Sequence, residues 1–522
     1  MQLTQALHGA VARQPLGIAT VCGGRRHTFT QFRDRVARLA GALRSLGVSS
    51  GDRVGILSLN SDRYVEAYMA VPWADAVINP VNTRWSAAEI ACSLDDCDTR
   101  VLLVDDHFAP MVADLRARSR SLATLVHLGD NPTPEGMLPY EALIERHAAV
   151  TDAGRGGRDL AGVFYTGGTT GFPKGVMLSH EALVFNGVLL ASAGVVRPGD
   201  IGLHTAPMFH LADHALFNAL WLVGGTHVAL PAFTPQGMLQ ALERERITTT
   251  VLVPTMIQLM VDHPDAARHD LSTLRSLAYG GSIISEAVLD RAQRLLPQVD
   301  FVQAYGMTEL GPCATALPAA LHSAEGRARD KLRSGGVALP GVAVRVVGPD
   351  GCDLPHGEVG EIIVSSPSVM LGYWNRPEET AQALQRVPNT GWMHTGDGGR
   401  MDDEGFLYIV DRVKDMIISG GENVHSTEVE RAVARHPAVA ACAVIGVPDD
   451  VWGERVHAVV VLKSGQQATA EEIQQHCGAL IGSYKCPKSV EFVAELPLSG
   501  AGKVLKRKLR APYWQGRERR VG

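Results

Sequence analysis

The sequence predicts an α/β protein: a large multi-layer N-terminal domain built on βαβ-type sheets, followed by a small α+β domain. Between Phe29 and about Leu125 strand-like and helix-like runs alternate, which is the pattern of βαβ units. Ile247 to Val253, Leu274 to Ala278 and Val299 to Ala304 look like buried strands of a parallel sheet, the first two each followed by a helical run. The chain has 522 residues, 46% hydrophobic and 20% charged, enough for a multi-layer core plus a satellite domain. The expected division is 1–412 and 413–522.

Bulk properties exclude several classes. A net charge of −6 gives no electrostatic reason to expect nucleic acid. Eight cysteines are scattered, without a Cys-x-x-Cys pair or a His/Cys cluster at metal spacing, so neither a disulfide framework nor a zinc site is expected. The N-terminus lacks the uninterrupted apolar core of a signal peptide. The most apolar long window, Leu216 to Leu230, is broken by Asn218, Gly224, Gly225 and His227. No integral membrane span and a cytoplasmic location are therefore the expectation.

In order, Arg53 to Leu59 reads as a strand, Asp62 to Val71 as a helix and Arg100 to Val104 as a strand. Asn79-Pro80 and Asn82 make a turn before a helical run from Ala87, and Asp130 to Arg158 reads as a loose stretch. Ala161 to Tyr165 and Gly175 to Leu178 read as strands flanking a glycine-rich loop, and Ser179 caps a helix starting at His180. Asp402 to Gly405 is a turn between strands. In the small domain, Thr427 with Glu430 and Thr469 with Glu472 are capping-box patterns, and Ala438 to Gly446, Val456 to Leu462 and Val490 to Ala494 read as strands.

The loop is the main chemical signal. Gly167, Gly168 and Gly171 free the backbone to aim N–H groups at an anion, Thr166, Thr169 and Thr170 add hydroxyls, and Lys174 adds charge. A Walker A loop is excluded, because Pro173 precedes Lys174, Gly175 follows it, and no helix signal comes next.

These residues resemble the phosphate-binding signature of the adenylate-forming superfamily, which includes acyl- and aryl-CoA synthetases, luciferase and peptide-synthetase adenylation domains. Gly167 stands where that family usually has serine. Further segments follow in the family's order: Ala206-Pro207-Met208-Phe209-His210, Tyr305-Gly306-Met307-Thr308-Glu309, Trp392 to Asp397, and Ser499-Gly500-Ala501-Gly502-Lys503. The resemblance implies a ligase using ATP, Mg²⁺ and coenzyme A on a carboxylic acid. It implies an ATP/AMP site of Thr166, Gly167, Gly168, Thr169, Thr170, Lys174, Gly280, Gly281, Ser282, Gln303, Tyr305, Gly306, Thr308, Asp397, Arg412 and Lys503. Within that set Tyr305 offers adenine an aromatic face and Asp397 can accept from both ribose hydroxyls, while Glu309, outside it, gives the cation a carboxylate oxygen. The catalytic groups are Lys503, His210 and Thr170, and His210, Gly281 and Met307 line the acyl pocket.

Coenzyme A falls to Gly420, Gly421, Trp452 and Arg84. Trp452 reads equally as a core residue and Arg84 as a solvated one. Lys414 occupies the position about which the family swings its mobile C-terminal domain. The apolar run Leu211 to Gly225 is read as a wall for a fatty or aryl acid, or as a helix packed on the core. A stand-alone amino-acid adenylating or amide-forming enzyme and an inactive nucleotide-binding scaffold are the alternatives. Asp213 is the one acid near His210 for a substrate ammonium, and no carrier domain fits after Lys503. The sequence leaves the oligomeric state open, a homodimer among the assemblies it allows.

Overall fold

The computed structural model describes residues 1–166, 173–282, 284–412, 415–419, 422–449, 452–499 and 504–515, and at 411, 412, 418, 422 and 423 the backbone alone. The chain forms two compact units, Met1–Val344 with Val364–Met393, and Arg345–Ile363 with His394–Gly522.

Among the described residues the first unit holds two large sheets. One orders its nine strands Val337–Ala338, Thr315–Leu317, Asp300–Tyr305, Ser276–Gly280, Thr249–Leu252, Ile201–His204, Thr226–Ala229, Ile18–Cys22 and Arg25–Thr28. The six from Asp300–Tyr305 to Ile18–Cys22 pair in parallel, and antiparallel strands close both edges. The other orders its eight strands Gly372–Tyr373, Lys174–Ser179, Leu160–Thr166, Val77–Pro80, Arg53–Leu57, Val101–Val104, Thr124–His127 and Leu138–Pro139. Strands in the parallel core of each sheet are covered on both faces: Val101–Val104 is buried at every position.

Helices cover these sheets for legible reasons. The helix Ala87–Asp96 starts at Ser86, whose hydroxyl and the Glu89 carboxylate form a capping box, an arrangement worth about 1 kcal/mol. Its Ile90 and Leu94 pack with Leu57, Leu102, Val104 and Leu115 in one apolar cluster. Ser179 caps His180–Ser192 by accepting from Ala182 N–H at 3.1 Å. The stretch expected to be loose between Asp130 and Arg158 contains the helix Tyr140–Arg146. Its anchor is long-range, since Tyr140 is buried and donates to Glu66 at 2.8 Å, a contact no local pattern announces.

The second unit carries a four-stranded sheet, Ala343–Val347, Gly360–Ser365, Met393–Met401 and Leu407–Arg412, and a five-stranded one around the long hairpin Val439–Asp449 and Gly453–Leu462. The hairpin alternates as a pleated ribbon does. Val444, Val456, Ala458 and Val460 join the helices Ser426–Ala434 and Ala470–Gly478 in one cluster, while Ile445, Val447 and Val459 face Val493, Leu496 and Leu509. Thr469 and Glu472 form the expected capping box. Thr427 and Glu430 do not: the helix begins at Ser426 without a side-chain cap. The Thr427 hydroxyl instead donates to the Val410 carbonyl, and Glu430 accepts from Val444 N–H and pairs with Lys506 at 2.8 Å. A tertiary partner for each side chain outcompetes the local cap.

Candidate active site

The strands Leu160–Thr166 and Lys174–Ser179 pair antiparallel, with Thr166 opposite Lys174. The loop they carry is thus launched from a closed hairpin stem, while Gly167, Gly168, Thr169 and Thr170 themselves lie outside the described residues. The stem is tied from three sides. Tyr165 donates its hydroxyl to Asp96 at 2.7 Å, Trp374 N–H bonds Gly175 O at 2.7 Å, and the Trp374 indole and Asn375 amide both reach the Asp96 carbonyl. Asp96 therefore links one helix end to two distant segments.

Gly280 ends one parallel strand and Tyr305 ends its neighbour, with Gly280 opposite Ala304. Carboxyl ends of parallel strands are where ligands bind in open α/β sheets. Backbone approach here is very close: a Cβ on Gly280 would lie 2.5 Å from Ala304 O, and one on Gly306 would lie 1.8 Å from Pro312 O. Gly281 has φ +80°, a left-handed conformation that favours glycine. Gly281 and Ser282 are exposed, Tyr305 to Thr308 are half-buried, and Gln303 is buried, accepting from the Tyr279 hydroxyl at 3.2 Å. The strand ends thus offer an aromatic ring and glycine backbone to a ligand.

Glu309, 7% exposed, lies in a short 3₁₀ turn after Tyr305. Its carbonyl accepts from Met370 N–H at 2.9 Å, and its Oε1 accepts from the Tyr373 hydroxyl at 2.9 Å. The Lys174 ammonium lies over the face of that same Tyr373 ring, 5.1 Å from its centroid. The structure therefore brings Lys174 and Glu309, 135 residues apart in the sequence, to one phenol. Tyr373 is the residue that sequence reasoning missed, since Leu371-Gly372-Tyr373-Trp374 carries only the local signal of an edge strand. The donor set suits a small hard cation. Among the described residues no group of three His, Cys, Asp or Glu side chains is placed to hold a metal ion. A cation at Glu309 would take its other oxygens from substrate and water, as Mg²⁺ commonly does.

His210 sits at the N-cap of the helix Leu211–Val223, its Nδ1 accepting from Ala212 N–H at 3.2 Å. In the neutral ring an accepting Nδ1 leaves the proton on Nε2, a donor for a carboxylate. The segment before it is clamped: Asn60 bonds Ala206 O and Met208 N–H, and Tyr68 donates to Met208 O at 2.6 Å. Behind it runs a buried polar chain in which Asp213 Oδ2 bonds His204 Nδ1 at 2.8 Å and His204 Nε2 bonds His227 Nδ1 at 3.0 Å. Asp213 is engaged in the core. The wall expected from Leu211 to Gly225 is likewise core: Phe217 and Trp221, both 1% exposed, pack with each other, and Trp221 also meets Phe29 and Phe32. The burial favours the packed-helix alternative, because Trp221 turns toward the helix Phe29–Ser45 and Phe217 toward Tyr68 and His227.

Asp397 belongs to the second unit and is buried, its N–H bonding the Thr395 hydroxyl at 3.0 Å. Arg412 is opposite Asp397 in strand register, its side chain outside the described set. Trp452 is 53% exposed, which removes the core reading, and Arg84 is also exposed. Met307 is extended and starts the Glu309 turn. Lys414, Gly420, Gly421 and Lys503 lie outside the described residues.

The chain matches the model of the AMP-binding enzyme family over residues 7–374 and that of the AMP-binding enzyme C-terminal domain over 428–503. The chain belongs to the AMP-binding enzyme family. Among its curated relatives is a feruloyl-CoA synthase of Amycolatopsis sp, 40% identical over 96% of both chains. Another is a fatty acid–[acyl-carrier-protein] ligase of Streptomyces coeruleorubidus, 35% identical over 99% of this chain and 98% of that one. Among solved structures, an anthranilate CoA ligase in complex with anthranoyl-AMP superposes with a TM-score of 0.89 at 27% identity, covering 98% of this chain and 97% of the other. The similarity spans both units, and with them the α/β architecture and the small C-terminal domain. No helix among the described residues is long and apolar enough to cross a membrane.

Proposed function

We propose that this AMP-binding enzyme is an ATP-dependent acid–CoA ligase acting on an apolar fatty or aryl carboxylic acid. The observation that carries the adenylating half is the meeting of Lys174 and Glu309 at Tyr373, beside the glycine-lined strand ends at Gly280 and Tyr305. In the first step a substrate carboxylate oxygen attacks the α-phosphorus of ATP, the bond to the β-phosphate breaks, and pyrophosphate leaves. Lys174, Thr166 and the loop residues Gly167, Gly168, Thr169 and Thr170 hold the phosphates. Tyr305 stacks the base, with Gly280, Gly281, Ser282, Gln303, Gly306 and Thr308 around it, and Asp397 with Arg412 takes the ribose. Glu309 would hold Mg²⁺, which supplies neutralisation of phosphate charge. Lys503 donates to the transferring group, so the chain's contribution is positioning and electrostatics. His210, Gly281 and Met307 line the acid's carboxylate end.

In the second step the coenzyme A thiolate attacks the acyl carbon and AMP departs. Gly420, Gly421, Trp452 and Arg84 are assigned to coenzyme A, and a C-terminal domain, 413–522, turns about Lys414 against 1–412. Asp213 is bonded to His204 inside the core, which supports an acid without an ammonium, since burying an unpaired charge costs several kcal/mol. Free thiols at all eight cysteines favour a reducing, cytoplasmic setting.

Half-reaction assays test the scheme. Lys503→Ala is expected to lose on the order of a hundredfold in acid-dependent ATP–pyrophosphate exchange while keeping thioester formation from a preformed acyl-adenylate. Equal loss in both halves refutes the two-step assignment. The carrier-protein relative supports a second acceptor, so coenzyme A and a holo acyl-carrier protein are compared with fatty, aryl and amino acids. A preference for amino acids overturns the substrate class, and turnover with the carrier alone overturns the coenzyme A reading.

A further inference from the structure

Lys174 and Glu309 carry opposite charges, yet among the described residues no ion pair joins them. One side chain accounts for this. The Tyr373 ring takes the ammonium on its face and its hydroxyl takes Glu309 Oε1. A direct pair would satisfy each charge with the other, leaving less of either for phosphate or a cation. The phenol avoids that outcome and also orients the carboxylate, because a donor fixed on Oε1 turns Oε2 toward a third partner. A cation over the ring polarises the phenol and strengthens its O–H as a donor.

Tyr373 is itself held firmly enough for the task. Its strand pairs with Lys174–Ser179, Tyr373 opposite Val176, so the ring and the lysine come from adjacent strands. Its N–H bonds the Thr380 hydroxyl at 2.9 Å, and Thr380 Oγ1 in turn bonds Arg376 O at 2.7 Å. Gly372 before it has φ +142°, and a Cβ there would lie 2.7 Å from Thr380 Cγ2. Met370 N–H holds the Glu309 backbone from the same segment. One short stretch thus fixes both ends of Glu309.

We propose that Tyr373 is a positioning residue of the cation and phosphate site, its hydroxyl orienting Glu309 and its ring keeping Lys174 from pairing with that carboxylate. The inference rests on the ATP-dependent reading above and adds a residue to it. The test uses the whole protein with α,β-methylene-ATP, reading nucleotide affinity without divalent ions by calorimetry and Mn²⁺ affinity of the complex by electron paramagnetic resonance. Tyr373→Phe keeps the ring and is expected to weaken Mn²⁺ by about tenfold or more, with divalent-free nucleotide affinity unchanged within about twofold. Tyr373→Leu removes the spacer as well and is expected to lower divalent-free affinity by about tenfold as Lys174 turns to Glu309. Adding Glu309→Gln to Tyr373→Leu then restores that affinity, which a merely structural defect would not allow. Wild-type Mn²⁺ binding in Tyr373→Phe overturns the orienting role. Undiminished nucleotide affinity in Tyr373→Leu, or no rescue by Glu309→Gln, overturns the spacer role. Absence of analogue binding by the unaltered protein refutes the ATP reading itself and is distinguished by that control.

Discussion

Gly306→Ala is the most confined perturbation of the strand-end site. The added methyl would start 1.8 Å from Pro312 O, 2.9 Å from Pro312 C and 3.1 Å from Cys313 Cα. All three are backbone atoms, so no side chain can swing aside. Reaching even 3.0 Å, below which real Cβ contacts essentially never occur, requires about 1.2 Å of separation. Neither side yields freely: Tyr305 O accepts from Ala314 N–H at 2.9 Å, Tyr305 pairs with Thr315, and Glu309 O is tied to Met370. The strain must pass into Tyr305 or into the Met307 to Glu309 turn. Overpacking of this kind costs about 1–3 kcal/mol of stability, and a shift near 1 Å at a positioning group costs about a hundredfold in rate. Acid-dependent ATP–pyrophosphate exchange, the ATP KM and Tm are measured together. The expected variant is folded, lower in Tm by a few degrees and about a hundredfold slower. Exchange within about threefold of the unaltered protein, at unchanged Tm, would refute the claim that this backbone approach sets the site.

Trp221→Ala should lose about 3–5 kcal/mol in urea unfolding without altering the preference among acids; a shifted acid preference would return the Leu211 to Gly225 helix to the substrate wall. Asp96→Ala removes the acceptor of the Tyr165 hydroxyl and should cost about 1–3 kcal/mol. Its ATP KM should rise more than its acid KM, and an unchanged ATP KM would detach Asp96 from the phosphate loop. Acid should destabilise the chain before carboxylates titrate. Burial holds His214 at about 3 and His180 and His322 at about 4, and pushes His227 well below 6.5. The unfolded chain therefore binds more protons below about 6.5, and stability falls from there toward about 4, by up to about 1.4 kcal/mol per histidine per pH unit. Urea midpoints at pH 7 and 5 check this, and equal midpoints would contradict the burial argument.

Much of this was legible in the chain because the signals were local. Strands buried on both faces announce themselves as apolar runs, and Ser179 and Thr469 cap their helices as their spacing says. The glycines at 280 and 306 could be suspected from sequence, but their reason, a backbone carbonyl within 2.5 Å of where a Cβ would stand, is tertiary. Where expectation failed, a distant partner decided. Thr427 found Val410, Glu430 found Val444 and Lys506, Tyr140 found Glu66, and Trp221 found Phe29 and Phe32. Tyr373 belongs to the same class: its partner Glu309 is 64 residues back, in a turn that follows a strand of the other large sheet.

The strand order of the eight-stranded sheet has a consequence for synthesis. Lys174–Ser179 is covered on its outer side by Gly372–Tyr373, a strand that leaves the ribosome roughly 190 residues later, about 10–40 s at ordinary elongation rates. For that interval the stem of the glycine-rich loop presents a bare sheet edge, the kind of surface on which nascent chains join one another. Its Gly175 carbonyl must wait for Trp374, whereas the Tyr165 to Asp96 tie and the pairing of Leu160–Thr166 with Val77–Pro80 use partners already made. The nucleotide-binding half of the enzyme is thus left open until nearly three-quarters of the chain has been made, and slow translation before Gly372 would lengthen the period in which it can aggregate.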